Sequence, residues 1–211
     1  MPLSQTPTAA EDWSPFVAAG YSFTDFPPGS RVLDIGFGNG WQMRGAALAG
    51  CRVFGVEYDA TLAGRARAEG LAVCQASSEQ LPFADASLDG VICKVVILLT
   101  DEARSIAEIA RVLRPGGIAR VSYHGAGYSL RYLFDGPGWK RRVYGARTMV
   151  NTIVYRLIGR RLPGFLGDTL LQTSARLRRY YRRRGLELIE EHPSPSYAGA
   201  PVFIYHTLRK T

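Results

Sequence analysis

One nine-residue stretch, Val32-Leu33-Asp34-Ile35-Gly36-Phe37-Gly38-Asn39-Gly40, limits what this chain can fold into more than any other. Its first part is an apolar run that reads as a strand, and Trp41 to Ala49 beyond it has helical composition. Glycines at a strand's end let the main chain approach a ligand closely, and the helix N-terminus that follows presents free N–H groups. A dinucleotide-binding turn needs G-x-G-x-x-G. Here the third glycine falls one residue early and Trp41 stands in the other position, so a pyrophosphate cradle is not matched. A second signal is Glu57, 21 residues beyond Gly36 at the end of the next apolar run. A carboxylate there can accept both ribose hydroxyls of an adenosine.

The alternation continues along the chain. Strands are expected at Arg31–Ile35, Cys51–Glu57, Ala72–Gln75, within Leu88–Leu98, and at Ile118–Tyr123, with helices at Trp41–Ala49, Ala60–Glu69 and Asp101–Leu113. In the last helix Ile106, Ile109, Ala110 and Leu113 share one face, and Pro115-Gly116-Gly117 stops it. Met1 to Glu11 reads as a loose leader before a helix start at Ser14-Pro15. After Tyr123 the rhythm breaks for about fifty residues rich in Arg, Tyr and Gly. Leu170, Ser174, Leu177 and Tyr181 then mark a helical face ending near Gly185, and Leu186–Glu190 and Val202–Leu208 finish as strands. Their short connection favours an antiparallel pair. The expected fold is α/β: a doubly wound, mostly parallel seven-stranded sheet with an antiparallel last strand. A single domain spans 1–211, made of a leader and helix (1–30), a core (31–123), a basic, aromatic insert (124–173) and a C-terminal helix with a strand pair (174–211).

Four segments in order, VLDIGFGNG, VFGVEYD, SSEQLPFADASLDGVIC and EIARVLRPGGIARVSY, closely resemble the class I S-adenosylmethionine-dependent methyltransferases, a Rossmann-like family. The resemblance covers Arg31 to Tyr123 and points to the small-molecule branch that includes ubiquinone-biosynthesis-type enzymes. It implies S-adenosyl-L-methionine as cofactor and assigns roles residue by residue. Asp34 would orient the glycine loop and the ammonium end, with Gly36, Phe37, Gly38 and Gly40 around the methionyl part. Glu57 would take the ribose hydroxyls and Tyr58 would lie against adenine. Ser77 stands where relatives often carry Asp, which leaves the Ser78 backbone and Glu79 as substitutes. Cys93 would line the methyl side. Should the acceptor have to lose a proton, Lys94 and His124 are the candidate catalytic groups, and no metal is implied. Family members often insert a lid after the fifth strand, and the insert 124–173 is read as one.

Composition bounds the rest. The chain has 211 residues, 46% hydrophobic and 21% charged, with mean hydropathy −0.05, which excludes a disordered chain and a membrane channel. The N-terminus has no signal-peptide pattern, and no apolar run is long enough to span a bilayer. Cys51, Cys74 and Cys93 form no paired motif, so a reducing cytoplasm is expected. The net charge of +8 is uneven: His124 to Gly185 holds 14 basic and 2 acidic residues, the remainder 12 and 16. Such a segment suits an anionic partner. The expected acceptor is therefore a small or lipid-linked, anionic molecule, with peripheral membrane contact through 148–161. RNA methylation by the basic insert, and a non-catalytic cofactor-binding subunit, are the alternatives. The lack of an Asn/Asp-Pro-Pro-Tyr/Phe motif at the fourth strand weighs against RNA.

Overall fold

The computed structural model describes residues 21–192 and 194–211. The leader and the helix start at Ser14-Pro15 lie outside them. The elements run β1 (Arg31–Ile35), α1 (Trp41–Leu48), β2 (Arg52–Glu57), α2 (Ala60–Ala68), β3 (Val73–Gln75), β4 (Leu88–Lys94), α3 (Glu102–Val112) and β5 (Leu113–His124). After β5 come α4 (Ala126–Asp135), α5 (Trp139–Ile158), α6 (Ser174–Arg183), β6 (Leu186–His192), β7 (Ser196–Tyr197), β8 (Ala200–Pro201) and β9 (Phe203–Lys210).

Seven strands form one sheet in the order β3-β2-β1-β4-β5-β9-β6. All neighbours among the first five are parallel, and β9 is antiparallel to both β5 and β6. The doubly wound expectation and the antiparallel late strand therefore hold. Parallel strands covered on both sides must be apolar on both sides, and β1 shows it: Val32, Leu33 and Ile35 are all buried. One face packs Leu33, Val91, Cys93, Ile106, Ile109 and Leu177 under α3 and α6. The other packs Val32, Ala46 and Ile92 under Phe23 and Phe26. Gly90 makes room for that second layer, since a Cβ there would stand 2.5 Å from the Phe26 ring.

Two expectations need correction. The fifth strand begins at Leu113, not Ile118: Leu88 pairs Leu113, then the register shifts so that Gly90 pairs Ile118. Arg114-Pro115-Gly116-Gly117 bulges between those pairings. The segment after His192 is also not simply a loop, because β7 and β8 form a small hairpin turned by Ala198 and Gly199 at positive φ. That hairpin supports the insert. A Cβ on Gly127 of α4 would stand 2.3 Å from the Ala200 carbonyl, so glycine alone allows the approach.

The insert is a helical pair returned to the body by residues 162–172. Gly145 lets α5 touch α4, with a Cβ there 2.6 Å from the Ser129 carbonyl. The return segment reaches the carboxyl edge of the sheet, where Leu170 N–H donates to Leu98 and Gln172 N–H to His124. The insert thus stands at the edge where the glycine loop lies. Among the described residues no helix is long and apolar enough to cross a membrane.

Candidate functional site

β1 ends in Gly36, Gly38 and Gly40, all left-handed at φ 66°, 55° and 74°. Gly36 is pinned: its N–H donates to Val56 at 2.8 Å, and a Cβ would meet Val96 Cγ2 at 2.3 Å. Gly38 is the opposite case, since nothing lies within 4 Å of the Cβ it lacks. Its bare face is open for a ligand. Gly40 precedes α1 without any side-chain cap, and the first turn of that helix carries no acid. Phe37 turns the other way, buried with Met43 and Ala66 under the loop.

Glu57 ties the second strand to this loop. Its Oε2 accepts from Gly38 N–H at 3.1 Å, while Oε1 accepts from Tyr58 and Asp59 N–H at 2.9 and 3.2 Å. The carboxylate is therefore fixed at the rim of the open face, and spacing in the sequence gave no sign that it holds Gly38. Tyr58 is largely exposed beside it.

Asp34 lies one layer below, buried, and accepts from the Met43 backbone. Burial pushes its carboxyl up to about 7; Lys94 works against that shift, and Glu57 with it. Lys94 is exposed at the end of β4, and its Nζ lies 6.0 Å from the Phe23 ring. Cys93 is buried, and that burial raises its thiol to about 12, which makes it packing and not a nucleophile. Val95 follows at φ 60°, a strained conformation for a β-branched residue, and so sets Val96 against Gly36. No sequence signal marks Val95, since valine gives no hint of positive φ.

Ser78 and Glu79 come directly after β3 but turn their side chains toward α3. Ser78 Oγ lies 2.9 Å from Ser105 Oγ, and Glu79 accepts from Asp101 N–H at 2.9 Å. His124 ends β5 stacked on Tyr128, with ring centroids 3.6 Å apart. Its Nδ1 is buried with no hydrogen-bond partner among the described residues, and burial lowers the ring to about 3. The imidazole is neutral at physiological pH. Asp34, Gly36, Gly38, Gly40, Glu57 and Lys94 thus come together at the ends of β1, β2 and β4, while Phe37 and Cys93 lie in the core. No cluster of three His, Cys, Asp or Glu among the described residues could hold a metal.

This sheet order with a glycine loop and an acid after the second strand defines a Rossmann-like methyltransferase fold. Residues 33–121 match the family described as methyltransferase domain. A probable S-adenosylmethionine-dependent methyltransferase of Mycolicibacterium smegmatis is 40% identical over 97 residues, 44% of this chain and 38% of that protein. The 24-methylenesterol C-methyltransferase 2 of Oryza sativa subsp. japonica is 36% identical over 129 residues, 56% of this chain and 35% of that one. The matches thus span less than half the length of these curated relatives. A crystal structure of an S-adenosylmethionine-dependent methyltransferase from Mesorhizobium loti superposes with a TM-score of 0.65 at 18% identity, covering 90% of this chain and 94% of that one, a likeness of fold.

Proposed function

We propose that this protein transfers a methyl group from S-adenosyl-L-methionine to a small or lipid-linked, anionic acceptor. The observation that carries the reading is the open face of Gly38 with the Glu57 carboxylate fixed beside it. In this reading the sulfonium supplies a methyl already activated for in-line displacement, so the chain's own residues bind, align and exclude water. Glu57 and the Gly36–Gly40 loop hold the nucleoside and methionyl parts, Tyr58 lies against the base, and buried Asp34 faces the cationic end. The Ser78 and Glu79 backbone borders the adenine. Lys94 is proposed to draw the acceptor's negative charge to the end of β4. His124, held neutral, is proposed as a hydrogen-bonding group that orients the acceptor. The α4–α5 insert acts as the lid. The sterol named for the rice relative favours an apolar acceptor over RNA, and the basic insert of this chain favours one that carries an anionic group.

Titration calorimetry with S-adenosylmethionine tests the reading. Wild-type protein binds one equivalent, and Gly38→Arg, whose side chain fills the open face, binds none while keeping its circular dichroism spectrum. No binding by wild-type protein, or full binding by the variant, overturns it.

A further inference from the structure

Helix α5 is built inside out. Its inward face is polar: Arg147 pairs with Asp168, Asn151 bridges the Thr169 carbonyl at 2.8 Å and Leu162 N–H at 2.9 Å, and Thr152 accepts from Leu171 N–H at 2.9 Å. The opposite side carries Trp139, Val143, Ala146, Val150, Ile153 and Leu157. Steps of four and three residues set these in one stripe along the helix, roughly 27 Å long at 1.5 Å per residue. Apart from Ala146 they are 42% (Val143) to 79% (Leu157) exposed. Isolated apolar residues on a surface need no explanation, but a continuous stripe does.

Charge selects what covers it. α5 contains five basic residues and no acid, and Lys140 on one margin and Arg142 and Arg156 on the other are exposed. A second copy would set like charges along both margins, where a helical seam needs opposite ones. An anionic phospholipid surface matches on both counts, with an apolar depth for the stripe and phosphates for its margins. At the helix's end an open cleft of about 490 Å³, lined by Tyr155, Arg156, Gly159, Thr173, Arg176 and Arg179, adds the exposed Arg179 guanidinium, Arg176 being paired with Glu102.

We infer that α5 is a docking surface for an anionic bilayer, lying in the membrane interface with Trp139 to Leu157 among the acyl chains. This extends the sequence-based expectation for 148–161 to the whole helix and does not depend on the transfer reaction. The seat and the proposed transfer site share one edge of the sheet, so a bilayer-resident acceptor would have a short path between them.

The test is co-sedimentation of the full chain, without cofactor, with vesicles of phosphatidylcholine alone or mixed with phosphatidylglycerol. Binding to the mixed vesicles only is expected, reduced about tenfold or more in Ile153→Asp/Leu157→Asp, with apolar burial as the lost contribution. Both side chains are exposed, so the double variant should melt as wild type does. No binding to mixed vesicles, equal binding to both kinds, or undiminished binding by the variant overturns the inference. So does a wild-type dimer in sedimentation equilibrium that the double substitution dissolves, because a second copy would then cover the stripe.

Discussion

Asp34 combines burial with nearby charge in a way that makes its titration informative. Its folded-state value of about 7 lies above the ordinary 3.8, so the folded protein keeps a proton that the unfolded chain releases. The stability this adds is complete below about pH 4 and is lost as pH rises through 7. Asp34→Asn keeps the acceptor for Met43 N–H without the charge. Relative to wild type it should gain roughly 1–3 kcal/mol between pH 4 and 8, read from thermal melts across that range. Binding of a cation near Asp34 favours the ionised form, so wild-type affinity for S-adenosylmethionine should climb toward pH 7 and level off above it. Glu57→Ala should weaken cofactor binding by roughly 1.5–3 kcal/mol for each charge-assisted hydrogen bond lost, measured by calorimetry. Wild-type affinity in that variant would end the ribose assignment.

At the scale of elements, packing decides what the sequence could reveal. The strands and helices from Arg31 to Tyr123 were legible because strands buried on both faces read as continuous apolar runs and α3 has a clean apolar side. The glycine loop was legible because three closely spaced glycines directly follow an apolar run, whereas its contact with Glu57 was not, being a matter of approach in space. The insert resisted reading because its apolar stripe faces outward and its buried side is polar, the reverse of the usual pattern. The Glu108–Arg111 pair reads from spacing as a weak surface contact, and here it does more. Arg111 is bidentate with Glu108 and also donates to the Leu81 and Phe83 carbonyls, clasping the loop before β4. Gly145 lies directly against the α4 backbone, where a Cβ would stand 2.6 Å from the Ser129 carbonyl. Gly145→Leu should force the two helices apart and lower the melting temperature, while cofactor affinity stays within about twofold, since additivity holds for distant sites. Paired melts and calorimetry check both halves of that expectation.

For the whole molecule, charge and cohesion divide along the same line. The core rests on dense apolar layers, while α5 is fastened to the body largely by hydrogen bonds, the Arg147–Asp168 ion pair and the packing of Tyr144 on Tyr132. Native-state hydrogen exchange should therefore show α5 opening at a lower free energy than β5 and β9, whose amides should exchange only with global unfolding. Equal protection throughout would contradict that division. The placement of β9 has a further consequence. It is made after β6, yet it fills the slot between β6 and β5. A nascent chain on the ribosome can complete the first five strands in order, but β6 has no neighbour to bond until Phe203–Lys210 emerges. Synthesis thus leaves an unsealed gap in the sheet until late, and any premature stop within those eight residues strands β6 as a sticky edge that invites aggregation.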